Sequence, residues 1–357
     1  MPTAPPLPFD GLAFDGTAAD RRAALLARMA DLTAHHRAAC PPYARILAAR
    51  GAGDGPFATL ADVPFLPVPL FKQAHLSSVP DAAVVATLAS SGTGGVPSRV
   101  VLDRTTAGAQ GRTLAAIVRA LLGTRRLPMA IVDGRGTLER SGPVTARAAA
   151  VAGFGMHGRD HLHLLGADGR PDWDALAALR RRHPGETLFL FGFTFLVWTA
   201  LVEAAARDGA GFDLAPAVLL HGGGWKRLAD RAVDAATFRA ELAARWGIGT
   251  VRNYYGLAEQ AGSIVLECAA GRLHASAFSD ALARDPVTLA PLPTGETGVL
   301  QFFSTLPESY PGHALLTEDL GAVTADDGCP CGWRGPTLRV DGRLPKVELR
   351  GCSDARP

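Results

Sequence analysis

The longest apolar run of the chain, TLFLFGFTFLVWTALV, covers the 16 residues from Thr187 to Val202 and stops at Glu203. Such a run belongs either in a bilayer or at the centre of a sizeable protein. It falls short of the ~20 residues that a helix needs to cross the hydrocarbon layer. Its first part, Thr187–Phe191, is strand-like, Gly192 supplies a turn, and the remainder reads as a buried amphipathic helix. A fully apolar strand running straight into a buried helix needs covering layers, and the chain is long enough to supply them. It has 357 residues, 48% hydrophobic and 20% charged, enough for two domains or one large one with an appendage. The formal net charge of +2, from 36 basic against 34 acidic residues, leaves no electrostatic footprint for nucleic acid. The Pro-rich, acidic start MPTAPPLPFDGLAFDG lacks the basic and apolar regions of a signal peptide. Five cysteines, an odd number without a secretion signal, point to a reducing compartment, and we expect a cytoplasmic protein without a membrane span.

Helix and strand signals alternate along the chain. A helical pattern runs from Thr17 to about Arg50. Strand candidates are Val84–Ala89, Arg99–Leu102, Met129–Asp133, Leu188–Phe191, Ala217–His221, Thr250–Tyr255 and Gly298–Ser304. Helix candidates are Thr105–Leu122, Trp173–Arg182, Thr194–Arg207 and Ala229–Trp246. The expected class is α/β, a layered sheet with helices on it. After about Gly262 the strands shorten and turns such as PTGETG crowd in, which predicts a small β-rich subdomain. The expected organisation is an N-terminal helical and extended segment over 1–75, an α/β core over 76–262, the β-rich subdomain over 263–340, and a hinge-like segment with a short tail over 341–357.

Four stretches fall in an informative order. SSGTGGVPSRV, from Ser90, comes directly after the strand-like AAVVATLA. Glycines let a backbone approach an anion closely, and successive N–H groups with Ser/Thr hydroxyls donate to its oxygens. There is no G-x-x-x-x-G-K-[ST], and the residues after Pro97 read as strand, so this is not the loop of a P-loop kinase or ATPase. LLHGGGWK ends a strand at three glycines, Gly222, Gly223 and Gly224, just before Lys226. NYYGLAEQ offers Tyr255, Gly256 and Glu259, and LLTEDLG holds Asp319 ahead of DGRLPKVELRG with Arg343 and Lys346. Singly these are a tight turn, a core tyrosine, a solvated carboxylate and a turn aspartate. Together they describe one ligand: a triphosphate cradle, a stacking ring, a carboxylate for Mg²⁺ and an acid able to chelate ribose hydroxyls.

The order and spacing resemble the acyl-adenylate-forming superfamily, whose motifs look like S-S/T-G-T-T-G-x-P, Y-G-x-T-E, T-G-D-L-G and G-R-x-D-x-x-K-x-R-G. The likeness covers about Ser90 to Gly351. Within it, VPFLPVPLFK, Ser98-Arg99, HGGGWK, YYGLAEQ and RGCS resemble the LuxE-like acyl-protein synthetases, and more distantly the phenylacetate–CoA ligases. The resemblance implies that a carboxylic acid, fatty or aryl, attacks the α-phosphate of ATP to give acyl-AMP, and that a thiol then takes the acyl group. It assigns Ser90, Ser91, Gly92, Thr93, Gly94 and Gly95 to the phosphates, Tyr255 to the adenine, Asp319 to the ribose, Arg343 to a second ribose or phosphate contact and Glu259 to Mg²⁺, with Gly223 and Gly256 among the nucleotide-binding residues. Lys226 and Lys346 are the available cations. The superfamily's mobile C-terminal domain, with its catalytic lysine, is expected to be missing. Gly94-Gly95 replaces Thr-Gly, Ser98 stands where many relatives carry lysine, Ala258 replaces a threonine, and TED replaces T-G-D. Phe193, Phe195, Trp198 and Trp225 are candidates for an apolar wall around the acid, or ordinary core aromatics.

Two cysteine expectations complete the reading. Cys268, His274, Cys329 and Cys331 suit tetrahedral Zn²⁺, with three free buried thiols as the alternative. Cys352, near the end, is the expected acyl carrier by likeness to LuxE-like proteins, handing the group to a reductase or carrier protein, with Cys40 or an external thiol as the alternative acceptor. Free CoA as acceptor, and a non-catalytic adenylate-binding relative, are the competing functional readings.

Overall fold

In the computed structural model residues 13–90, 97–138 and 143–344 are described, Lys226 and Arg227 by their backbone alone. The strands are β1 (Leu66–Pro67), β2 (Val84–Ala89), β3 (Arg99–Asp103), β4 (Leu127–Gly134), β5 (Val144–Thr145), β6 (Gly158–Leu165), β7 (Leu188–Phe193), β8 (Ala217–Gly222), β9 (Thr250–Gly256), β10 (Ile264–Glu267), β11 (Leu273–His274), β12 (Ser279–Arg284), β13 (Gly298–Ser304), β14 (Ala314–Ala325) and β15 (Thr337–Arg343). The apolar run folds as a strand and a buried helix, but without the expected turn at Gly192. β7 continues through Gly192 to Phe193, with Gly192 in register between Val132 and His221. It is followed by a first helical turn Thr194–Val197, a π-helical stretch Trp198–Ala204 and a last turn Ala205–Asp208. β7 is apolar throughout because both its faces are covered. Leu188 and Leu190 enter the cluster with Trp246 and Leu242, while Phe189, Phe191 and Phe193 enter the opposite one with Phe154 and Met129. Each such buried side chain contributes roughly 1.5–3 kcal/mol.

The main sheet runs in the order β12-β13-β14-β15-β11-β10-β9-β8-β7-β4-β6, with β1 paired to β14. From β6 to β9 all pairs are parallel. From β9 to β12 along that order every pair is antiparallel. The β-rich texture after Gly262 is therefore present and continues the central sheet. A small separate sheet, β3-β2-β5, carries the segment that leads into the glycine loop.

Several expectations shift at their edges. The helix expected over Thr17–Arg50 is two helices, Ala18–Ala39 and Pro41–Ala49. Pro41 lacks an N–H and biases Cys40 towards extended backbone, observed at φ −121° and ψ 93°. The helix expected from Ala229 starts at Ala235, where Asp234 accepts from Thr237 N at 2.7 Å. β6 has no strand signal in its sequence because GRDHLHLL is polar; as an edge strand it exposes one side.

Candidate active site

The parallel strands end together at one edge of the sheet. Phe193 stands in register with Gly222, and Gly222 with Tyr254. Val132 is in register with Gly192, so Asp133 and Phe193 come next, side by side. In open α/β sheets ligands bind outside these carboxyl ends.

Three of the predicted nucleotide residues meet there from three strands. Tyr255, near the end of β9, donates its phenol to Asp319 Oδ2 of β14 at 2.6 Å. Arg343 of β15 lies across the β14–β15 register from Asp319, with Nε 3.8 Å from Oδ1. Thr317 Oγ1 receives the Asp319 N–H at 3.0 Å, which fixes the turn of backbone beneath the carboxylate. The Tyr255 ring stacks on Phe302 at 5.3 Å between centroids. Burial pushes the Asp319 carboxyl up, partly offset by the phenol hydrogen bond and by Arg343. Burial, reinforced by the Asp319 charge, holds the Tyr255 phenol protonated, so it remains a donor.

Glu259 sits in the loop after β9, 7% exposed. Among the described residues no hydrogen bond or ion pair engages its carboxylate. The neighbouring Gln260 is fully used, donating to Phe302 O at 3.1 Å and Gly312 O at 2.7 Å and accepting from Ser263 Oγ at 2.6 Å. A rigid backbone thus presents an unengaged acid. Gly256 pairs with Ile264 on β10. Gly223 has φ +77°, and a Cβ there would lie 2.6 Å from the Phe193 ring, so only glycine lets the strand end pass that ring.

At the base of the glycine loop, Ser90 N donates to Ser98 O at 3.1 Å and Ser98 N to Ser90 Oγ at 3.0 Å, closing a hairpin between β2 and β3. Ser91, Gly92, Thr93, Gly94 and Gly95 lie outside the described residues, as do Lys346 and Cys352, and the Lys226 side chain is not described. The backbone of Lys226 opens a 3₁₀ turn, Lys226–Arg231. The four proposed wall aromatics divide into two pairs. Phe193 and Phe195 pack 6.4 Å apart in the β7 phenylalanine cluster, whereas Trp198 meets Trp225 at 5.6 Å beside Phe238 in the other. Cys40 is fully buried at the helix junction, where burial raises its thiol pKa.

Cys268, His274, Cys329 and Cys331 converge, their donor atoms all within 4.8 Å of one another. Cys268 Sγ is 3.8 Å from Cys329 Sγ, and Cys331 Sγ is 3.6 Å from His274 Nε2. Burial lowers the His274 pKa to about 4, so the imidazole is neutral.

Sequence reasoning passed over two features. His221, 8% exposed at the end of β8, holds Nδ1 3.0 Å from Thr194 Oγ1, whose hydroxyl donates to Gly222 O at 3.1 Å. Burial lowers its pKa to about 3. Its place just before the triglycine was a usable signal. The second is Asp133 at the end of β4, which receives Arg147 Nε at 2.6 Å. A lone acid ending an apolar strand hinted at Asp133; nothing local hinted at its partner.

The fold is that of the acyl-adenylate-forming ligases. It superimposes on an open conformation of 2-hydroxyisobutyryl-CoA ligase in complex with 2-HIB-AMP and CoA with a TM-score of 0.72, 18% identity, and coverage of 98% of this chain and 81% of that one. The postadenylation state of the same ligase with 2-HIB-AMP gives a TM-score of 0.74 at 18% identity, over 96% of this chain and 72% of that one. Residues 10–356 match the family described as "Acyl-protein synthetase, LuxE", and the chain belongs to that family. It is 26% identical over 312 residues to the long-chain-fatty-acid–luciferin-component ligase of Vibrio harveyi, covering 82% of this chain and 77% of the relative. The corresponding ligase of Aliivibrio fischeri is 28% identical over 138 residues, 38% of this chain and 36% of the relative. The chain is thus an ATP-dependent ligase that activates a carboxylic acid as acyl-AMP and transfers the acyl group to a thiol. No helix among the described residues is long and apolar enough to cross a membrane.

Proposed function

We propose that the acid is a long-chain fatty acid and that the accepting thiol is Cys352, from which a partner reductase or carrier protein takes the acyl group. The match to the acyl-protein synthetase family over residues 10–356 carries this reading, and both curated relatives are named for long-chain fatty acids. A carboxylate is a poor acyl donor because its leaving group would be oxide; joined to AMP it has a stable one. In this reading Tyr255 and Gly256 flank the adenine, Asp319 and Arg343 hold the ribose side, and Ser90–Gly95 with Gly223 line the phosphates. Lys226 and Lys346 are the cations that offset charge on the phosphoryl oxygens.

Glu259 fits a Mg²⁺ ligand, because it is a buried carboxylate with no partner among the described residues. Mg²⁺ there would neutralise phosphate charge. The Cys/His cluster fits a structural Zn²⁺. Tetrahedral bonds of about 2.3 Å to sulfur and about 2.0–2.1 Å to nitrogen require S–S and S–N separations close to the observed 3.8 and 3.6 Å. A cytoplasmic setting accords with the lack of a disulfide among the four described cysteines, Cys40, Cys268, Cys329 and Cys331.

The test is labelling with radioactive fatty acid and ATP, with and without CoA. The expected result is hydroxylamine-sensitive label on the denatured protein, lost in Cys352→Ser while pyrophosphate exchange continues. Label accumulating on CoA instead would establish the CoA-ligase reading. Wild-type acylation of Cys352→Ser would move the acceptor to another thiol.

A further inference from the structure

Between Ser90 and Ser98 the glycine loop carries no lysine or arginine. Ser98 is 1% exposed and its N–H is spent on Ser90 Oγ, so it faces the interior. The small sheet brings another cation to the loop's base. β5 runs parallel to β2 with Leu88 opposite Val144 and Ala89 opposite Thr145, one residue before Ser90. Thr145 caps the helix Ala146–Gly155 by accepting from Ala148 N at 3.1 Å, and Arg147 is in the first turn of that helix.

The Arg147 guanidinium is clamped from behind. Its Nε donates to Asp133 Oδ2 at 2.6 Å and an Nη to Oδ1 at 2.5 Å, a two-point fork that fixes the plane of the group. Asp133 is 1% exposed, while the Arg147 side chain keeps 37% of its surface open. Asp133 is itself held by Gly134 N and Thr137 Oγ1, each at 2.7 Å. Asp133 stands at the carboxyl end of β4, next after the Val132–Gly192 pair with β7, in the row that Phe193, Gly222 and Tyr254 continue on the successive strands β7, β8 and β9. Arg147 therefore spans from the base of the glycine loop to the carboxyl edge of the main sheet. Among the described residues, two of the five guanidinium N–H donors are used, both by the Asp133 carboxylate, which leaves three for a ligand. Arg99, also opposite Ala89, is exposed on β3 and has no such clamp among the described residues.

We propose that Arg147 binds the β- and γ-phosphates of ATP and the departing pyrophosphate, with Asp133 as its positioning residue. The proposal rests on the reading of the chain as an ATP-dependent ligase. In adenylation an acid oxygen forms a bond to the α-phosphorus, and the bond from that phosphorus to the oxygen bridging the β-phosphate breaks. The electron pair leaves with pyrophosphate and no proton moves. Negative charge grows on that bridging oxygen and the β-phosphate, where a fixed guanidinium offsets it without reorganising.

Calorimetric titration of the full chain with MgATP, Mg-pyrophosphate and AMP tests this. Arg147→Gln is expected to weaken ATP and pyrophosphate by about 10- to 100-fold, the range of one or two lost charge-assisted hydrogen bonds, and to leave AMP within about twofold. Arg147→Lys is expected to recover part of the loss, and Arg99→Gln to change nothing. Because Arg147→Gln leaves a buried carboxylate unpaired, Asp133→Asn/Arg147→Gln removes both charges and is expected to show the same selective loss. Folded variants that bind ATP and pyrophosphate as tightly as the wild type overturn the proposal alone. A wild-type chain that binds neither ATP nor AMP overturns it together with the ligase reading.

Discussion

Tyr255 and Asp319 divide one task. The phenol has a single proton to give and spends it on Asp319 Oδ2, which leaves Oδ1, facing Arg343, as the oxygen available to a ligand. Removing the phenolic oxygen leaves a partly buried carboxylate short of a donor, at about 1–3 kcal/mol. Tyr255→Phe is therefore expected to raise the ATP KM in pyrophosphate exchange by roughly 5- to 100-fold and to lower the melting temperature slightly. Asp319→Ala removes the acceptor itself and should cost at least as much in KM; an unchanged KM in both variants would detach this pair from the nucleotide. Glu259→Ala, with the carboxylate gone, is expected to slow exchange by on the order of 10²-fold or more in a protein that folds normally. These residues were legible in the sequence because each sits in a short motif with its own backbone context. Arg147 was not, because its position depends on which strand β5 pairs with, a contact between segments far apart in sequence.

Among the elements, the strand end at the triglycine and the metal-like cluster make opposite demands on substitution. Gly223 combines φ +77° with a Cβ position 2.6 Å from the Phe193 ring, so Gly223→Ala meets both backbone strain and a clash. A loss of about 1–3 kcal/mol is expected in denaturant unfolding. Gly256→Ala, whose Cβ would approach nothing nearer than 3.5 Å, should be close to neutral. For the Cys/His cluster, about one equivalent of zinc is expected in freshly purified protein by elemental analysis, falling in Cys268→Ser together with the melting temperature. Less than about half an equivalent in the wild type would favour three free thiols. Element by element, the buried strands were readable because an apolar run bounded by glycine has few other places to go. β6 and β12 were not, since these two edge strands carry polar residues such as Asp160, Ser279 and Asp280.

For the whole molecule, the acid limb of stability depends on interior histidines: burial lowers the pKa of His36, His157 and His274, and that of His221 and His313 as well. Burial, with Arg239 adding for His221 and with Arg28 and His35 adding for His313, lowers both pKa values to about 3. Unfolded histidine titrates near ~6.5, so the stabilisation is complete above that pH and is lost as pH falls through the window from ~6.5 to about 3. Asp280 works against this. Burial raises its pKa to about 6, so the folded state takes up that proton before an unfolded aspartate near ~3.9 does. Urea midpoints should therefore fall as pH drops through the window from ~6.5 to about 3, with Asp280 offsetting about one proton of that slope between about 6 and ~3.9, and His313→Asn should flatten the slope by about one proton. An unaltered slope in that variant would show that His313 is charged in the fold. The layered class was legible from the alternation of strand and helix signals. The continuation of the sheet from β9 into β10 through β15 was not, because it depends on hydrogen bonding between β11 and β15, whose sequences carry no mark of each other.

The central claim is that this fold, with Tyr255, Glu259 and Asp319 gathered at its sheet edge, activates a carboxylic acid with ATP. The direct measurement is exchange of labelled pyrophosphate into ATP across a panel of acids of different chain length and aromaticity. Exchange that depends on added acid, is strongest with long-chain fatty acids and collapses in Glu259→Ala is the predicted result. A well-folded wild-type chain that supports no acid-dependent exchange with any member of the panel would contradict it.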